Sequence, residues 1–383
     1  ALTDNNAAQS AEYAEQGIHF YNQGQYSEAV AAYTQAIALA PENAIAYSNR
    51  GQSYSQLEQY DQAMADFEKA IELQPDDPAI YSSRAYSYGK MGEFQKAIDD
   101  YTKSLELRSD DAMTYANRGY MQLSSGNFEQ AVDDFSRSIE LDPSYSSAYF
   151  NRASAYFGLG QFANAIPDLD KDIELRPDHA DAYLLRGTAR SQIGLFDEAI
   201  ADLSRAIELN PASALSYANR GRAYNNVGQY EEAILDLDQA LALRQDFSDA
   251  YYSRGVAHFG LADYQQAIAD FGQLIDLFPE NVTAYTYRGL AYSRQGNYEQ
   301  ALDDFDRAIE LNPEYADSYL GRAQTYREIS EYEQAIADFT HLIKIAPEIA
   351  DVYYYRARIY GFMQEYDPMK ADLREYARLA EEN

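Results

Sequence analysis

One period runs through this sequence and limits what the chain can fold into. Aligned on itself, it repeats every 34 residues from Ser10 to Asn383, giving eleven units without insertions, 10–43 through 350–383. The units begin at Ser10, Ala44, Pro78, Ala112, Ser146, Ala180, Ala214, Ser248, Val282, Ala316 and Ala350. Counted from these starts, position 4 is Tyr and position 8 is Gly or Ala in all eleven. Position 17 is always Tyr or Phe, and position 24 is aromatic or Leu. Position 20 is Ala in ten units, with Met369 in the last, and position 32 is Pro in eight.

These positions fall at helical spacing. Positions 4, 8 and 11 form one stripe, and 17, 20, 21, 24 and 28 form a second. A Gly near position 15, as at Gly92, Gly126 and Gly160, ends the first helix (helix A). Pro at position 32 stops the second (helix B). Small residues at 8 and 20 let the two approach closely. Such a hairpin cannot bury its own apolar face, and stacking on neighbours buries it. The expected architecture is therefore all-α: a polar tail over residues 1–9, then one stack over 10–383. Pro167, a few residues inside a helix B, predicts a small kink.

The stretch Tyr47-x2-Arg50-Gly51-x2-Tyr54, then Ala63-x3-Phe67, then Pro75, resembles the tetratricopeptide repeat. That family's 34-residue signature reads W-x2-L-G-x2-Y, A-x3-F, P. The resemblance covers 374 of 383 residues, with Tyr standing for Trp and Arg for Leu, and is nearest to bacterial members. It implies a right-handed superhelical solenoid of antiparallel helix pairs that binds proteins and is not an enzyme.

The Arg substitution is systematic. Position 7 is Arg50, Arg84, Arg118, Arg152, Arg186, Arg220, Arg254, Arg288, Arg322 and Arg356 in units two to eleven. Position 23 in the same units is Asp66, Asp100, Asp134, Asp168, Asp202, Asp236, Asp270, Asp304, Asp338 and Asp372. Unit one lacks both charges, with Gln16 and Ala32. Present together and absent together, they are expected to form an ion pair within each hairpin. Ten of the 30 basic residues are then committed to structure and form no phosphate-binding patch.

Net charge is −32, which disfavours nucleic acid and anionic membranes and suits a neutral or basic partner. There is no Cys, so thiolate chemistry and disulfides are excluded. No apolar run reaches a membrane span, and no signal peptide is evident. Neither cytoplasm nor export is singled out. The opening ALTDNNAAQ, without an initiator Met, fits a processed mature end or simply the point where the sequence begins. In the last unit, positions 21 and 28 become Lys370 and Ala377, which predicts a solvated cap, a stack ending at Asn383 and a monomer rather than a head-to-tail filament.

No P-loop, dinucleotide fingerprint or calcium loop occurs, and His19, His179, His258 and His341 have no ligand spacing. Cofactors and metals are not expected. Carboxylates such as Glu72, Glu140, Glu208 and Glu310 read as a solvated face, and Asn281-Val282-Thr283 is a lone sequon. The resemblance implies a concave groove lined by helix A positions 2, 5, 6, 9, 12 and 13. Carried over, the lining is Tyr21, Asn49, Tyr86, Asn117, Tyr120, Phe150, Asn151, Phe157, Leu184 and Asn219 in the first seven units. It continues with Tyr252, Phe259, Tyr287, Leu290, Arg294, Leu320, Arg327, Tyr354 and Arg358. Asn can donate to and accept from a peptide backbone, and aromatic and Arg side chains anchor interfaces. Lys is missing at positions 5 and 9, so the family's carboxylate clamp for chaperone tails is not expected. The expected function is a scaffold or adaptor holding an extended peptide or protein in this groove. The alternative is a structural or assembly component of a cell-surface or extracytoplasmic complex.

Overall fold

The computed structural model describes residues 2–382, with side chains from 6 to 381. Among the described residues there are 22 helices and no strand. The chain divides into two compact units, one ending at Ile193 and the other starting at Gly194.

The first unit holds helices α1 (Leu2–Asn22), α2 (Tyr26–Leu39), α3 (Ala44–Gln56), α4 (Tyr60–Leu73), α5 (Pro78–Lys90), α6 (Phe94–Leu107), α7 (Ala112–Ser124), α8 (Phe128–Leu141), α9 (Ser146–Gly158), α10 (Phe162–Leu175) and α11 (Ala180–Gln192). The second holds α12 (Phe196–Leu209), α13 (Ala214–Asn226), α14 (Tyr230–Leu243), α15 (Ser248–Gly260), α16 (Tyr264–Leu277), α17 (Val282–Gln295), α18 (Tyr298–Leu311), α19 (Ala316–Glu328), α20 (Tyr332–Ile345), α21 (Ala350–Phe362) and α22 (Tyr366–Glu382). Odd-numbered helices are the A helices and even-numbered ones the B helices. The boundary between the units falls inside the sixth repeat. Residues 2–9, expected as a tail, continue α1 as helix. Pro167 lies inside α10, whose helical assignment runs unbroken from Phe162 to Leu175.

Each A helix ends in the same way. The residue at position 15 takes a left-handed conformation, and the next N–H bonds back across the last turn, as Gln59 N donates to Tyr54 O at 2.9 Å. Gly fills this place at Gly24, Gly92, Gly126, Gly160, Gly194, Gly228 and Gly296. Glu58, Ala262, Ser330 and Gln364 adopt it without being Gly, at φ near +60°. Around those glycines a Cβ would meet nothing within 4 Å, so the demand is on the backbone alone.

Close packing explains the other small residues. The Ala residues at position 20, such as Ala63 and Ala233, are fully buried. The position-24 ring lies against position 8: a Cβ on Gly51 would come within 3.1 Å of the Phe67 ring. Phe67, Phe135, Phe271, Phe305 and Phe339 are fully buried there, one in each hairpin.

The arginines at position 7 are bonded on two sides. Arg50 donates from Nε and Nη2 to both oxygens of Asp66 at 2.8 Å. Matching Arg–Asp pairs join Arg84–Asp100, Arg118–Asp134, Arg152–Asp168, Arg220–Asp236, Arg254–Asp270, Arg288–Asp304, Arg322–Asp338 and Arg356–Asp372 at 2.6–2.7 Å. Arg186 and Asp202 lie in different units, the first in α11 and the second in α12.

The remaining Nη1 reaches back to the preceding B helix. Arg50 donates to Thr34, Arg118 to Thr102, Arg152 to Ser136, Arg220 to Ser204 and Arg356 to Thr340. Where that position is Asp, Arg186 meets Asp170, Arg254 meets Asp238 and Arg322 meets Asp306, while Arg84, facing Glu68, bonds only Asp100. Arg288 faces Gly272 and has no side chain to bond there. The guanidinium also lies over tyrosine rings, 5.6 Å from Tyr47 and 5.9 Å from Tyr54 at Arg50. Hydrogen bonds donated to Asp66 hold the Arg50 guanidinium above its ordinary pKa. One side chain thus ties its own hairpin together and fastens it to the one before.

Two measurements follow. Ala262→Gly relieves a left-handed L-residue and is expected to raise unfolding stability by about 1 kcal/mol in urea denaturation. Arg220→Ala and Asp236→Ala are each expected to cost about 3 kcal/mol, because each strands a charge in a largely buried pair. In the double-mutant cycle they should couple by about 1.5 kcal/mol or more, and additivity would show that the pair carries no interaction of its own.

Candidate functional site

The inward positions of the A helices meet two cavities in the second unit. The larger, about 790 Å³, lies along α13, α15 and the start of α17. Its apolar wall is Tyr252, Val256, Leu274 and Phe278, and its polar wall includes Arg222, Asn225, Asn226 and Asp249. The Asn225 amide donates to Ser253 O on α15 at 2.7 Å. Its Oδ1 is buried and accepts no hydrogen bond among the described residues. The Tyr252 ring meets Tyr287 edge-on at 5.6 Å. Burial, and then the neighbouring Tyr287, raise the Tyr252 hydroxyl above its ordinary pKa, so it remains a donor at neutral pH. Phe278 is half exposed at position 31, where other units carry Ala, Gln, Arg, Asp or Asn.

The smaller cavity, about 400 Å³, lies along α17, α19 and α21. Leu290, Ser293, Arg294, Tyr298, Gln324, Arg327, Glu328 and Tyr355 line it. In the first unit, Tyr21, Tyr86 and Asn117 line a pocket of about 200 Å³. A polar chain crosses it, with Gln56 donating to Tyr21 Oη at 3.2 Å and accepting from Lys90 Nζ at 3.1 Å. Burial raises the Tyr21 hydroxyl pKa.

The structure distributes the other expected lining residues differently. Phe150 and Phe157 pack onto the Leu169 core, and Phe157 meets Phe162 edge-on at 5.1 Å. Tyr287 and Phe259 pack around Phe271, and Leu320 packs beside Phe339. Asn219 is buried, and Asn49, Asn151 and Leu184 are half-buried. Tyr120 and Tyr354 remain exposed, with Arg358 over the Tyr354 ring at 5.9 Å. Large apolar residues at positions 5, 6 and 12 are thus drawn into packing with neighbouring side chains. Arg222, Asn225, Asn226, Asp249, Gln324 and Tyr355 stand at the expected lining positions without having been singled out, and Phe278 and Tyr298 lie outside those positions. Phe278 carried a signal, since it breaks the polar or small pattern of its position.

The B-helix carboxylates hold exposed i,i+3 partners, as in Lys69–Glu72 and Arg307–Glu310. His179, expected to be an ordinary substitution, is part of a built cluster. Its Nδ1 lies 2.6 Å from Oδ2 of the fully buried Asp172, whose Oδ1 accepts from Arg176. The Phe150 ring centroid lies 4.8 Å from that of His179. Asp172 stands at position 27, where neighbouring units have Ala or Ser. Among the described residues no group of three or more His, Asp or Glu side chains could hold a metal, and no helix is long and apolar enough to cross a membrane.

Profiles described as "Tetratricopeptide repeat" match residues 14–78, 78–111, 150–214, 203–235, 248–281, 282–315 and 305–337, and profiles described as "TPR repeat" match 119–160 and 221–261. The chain belongs to the tetratricopeptide repeat family. A comparison with curated proteins found no match. Among solved structures, the Cut9–Hcn1 hetero-tetramer of the APC/C is similar over 98% of this chain and 94% of that one, at 13% identity and a TM-score of 0.52. YrrB, described as a TPR protein with an unusual peptide-binding site, is 26% identical over 49% of this chain and 97% of its own, with a TM-score of 0.45. MamA is 29% identical over 43% of this chain and 96% of its own, with a TM-score of 0.40.

The cluster at Asp172 gives an asymmetric prediction. His179→Ala leaves a buried carboxylate short of a donor and is expected to cost about 2 kcal/mol in urea denaturation. Asp172→Ala, which installs the residue of other units and leaves the partly exposed Arg176 and His179 side chains free to hydrate, should cost less.

Proposed function

We propose that this chain is a non-catalytic scaffold or adaptor that holds an extended segment of a protein partner against its A helices. The family is generally an interaction module without catalysis. The observation that carries the reading is the 790 Å³ cavity. It combines an aromatic and aliphatic wall with a buried, unpaired Asn225 acceptor. Apolar surface with a few convergent polar groups is the usual composition of a recognition site. An extended peptide supplies an apolar side chain for the wall and backbone groups for the polar residues at its rim. A partner of neutral or basic overall charge would approach this acidic chain without repulsion.

The test is site-specific photocrosslinking in the source cell, with the crosslinker at Val256 inside the cavity or at Glu232 on the B helix α14. Partner adducts are expected at Val256, and Tyr252→Ala with Phe278→Ala should reduce them about tenfold or more, as loss of aromatic anchors does. Adducts confined to Glu232, or undiminished by the double substitution, would refute the groove assignment.

A further inference from the structure

The two cavities of the second unit differ in charge. In the larger one a single guanidinium, Arg222, stands with a single carboxylate, Asp249, and one wall is apolar. The smaller one has two guanidinium groups, Arg294 and Arg327, against one carboxylate, Glu328. Arg327 is already paired with Glu328 at 2.5 Å. Arg294 has no ion-pair or hydrogen-bond partner among the described residues. Tyr298, Tyr355 and Gln324 add neutral donors that make no side-chain hydrogen bond there.

The chain has 62 acidic and 30 basic residues, so a recess in which guanidinium groups outnumber carboxylates runs against its overall charge. The position-7 arginines of the second unit, Arg220, Arg254, Arg288, Arg322 and Arg356, are matched by Asp, whereas Arg294, like Arg222 and Arg358, stands at an inward position without an ion pair among the described residues. The inward carboxylates Asp317 and Asp351 stand in the first turns of α19 and α21. Arg327 is ten residues along α19 from Asp317, about 15 Å by helical rise, and neither Asp317 nor Asp351 lines the cavity.

We infer that the smaller cavity takes the side-chain carboxylate of an Asp or Glu in the bound segment, while the larger takes an apolar side chain of the same segment. The inference rests on the groove reading and adds its specificity. A guanidinium offers paired N–H donors that match a carboxylate, and phenol and amide donors complete the shell. The cavities centre on α15 and α19, two A-helix steps apart. At 8–10 Å per step the span is about 16–20 Å, which an extended chain covers in about five or six residues. The recognised feature is therefore an apolar anchor with an acidic residue about five or six positions away. The partner's overall charge is free to be neutral or basic.

The experiment is selection of a random 12-residue peptide library, displayed on phage without free peptide C-termini, on the full chain. A selected sequence is then synthesised with an amidated C-terminus, together with its Glu→Gln counterpart, and measured by fluorescence anisotropy. The expected result is a shared apolar residue with Asp or Glu at the stated spacing, and about tenfold weaker binding of the Gln peptide. Arg294→Ala with Arg327→Ala should cost the same tenfold and abolish the difference between the two peptides. Arg294→Glu with Arg327→Glu should redirect selection to Lys or Arg at that place. Thermal melts by circular dichroism confirm that each variant is folded. Selected peptides without an acidic residue, or a loss that falls equally on the Gln peptide, would overturn the carboxylate site and leave the groove reading standing. If the wild-type chain selects no shared sequence, the groove reading falls and this inference falls with it.

Discussion

The stack depends on the guanidinium at position 7. A repeat that places Leu there relies on packing alone to set the angle between its helices. Here two directed hydrogen bonds to a nearly buried Asp fix that angle, and a third reaches the preceding B helix. A buried ion pair adds little net stability, since desolvation consumes most of the attraction. What it contributes is geometry: a planar fork accepts one orientation of its partner. The tyrosines at positions 4 and 11 make the same site favourable for a cation by presenting ring faces to it. The abundance of Tyr and the Arg for Leu exchange are two halves of one arrangement.

Much of the fold was legible in the sequence because it is periodic. Identical positions in eleven units point to the same contacts, so a fully buried Ala at position 20 or a ring at position 24 could be read without coordinates. The tie from Arg to the preceding hairpin was not legible. Its acceptor is Thr34, Ser136 or Asp238, residues that differ in size and charge and share only an oxygen at the right height. Period analysis looks for recurring residue types and passes over recurring chemistry. The left-handed turns at Glu58, Ala262, Ser330 and Gln364 were hidden for the opposite reason: the backbone geometry recurs while the residue suited to it does not.

The candidate site was less legible, because it consists of departures from the period. Phe278 and Asn225 earn their places in the larger cavity by differing from their counterparts in other units. Conversely, Phe150 and Phe157 looked like groove aromatics, yet they pack against neighbouring side chains. Whether a large side chain at an inward position lies free or folds back depends on the size of its neighbours on the next helix, which is a property of pairs.

Gly272 changes the mechanics of the second unit. It leaves Arg288 without the backward bond that Arg254 and Arg322 make on either side. The joint between α16 and α17 is thus closed by apolar contact and by an Arg–Asp pair internal to one hairpin. The larger cavity is lined from both sides of it, by Leu274 of α16 and Thr283 of α17. A side chain able to accept at 272 would restore there the backward tie that its neighbours carry, so this one position decides whether the Arg ladder of the second unit is continuous.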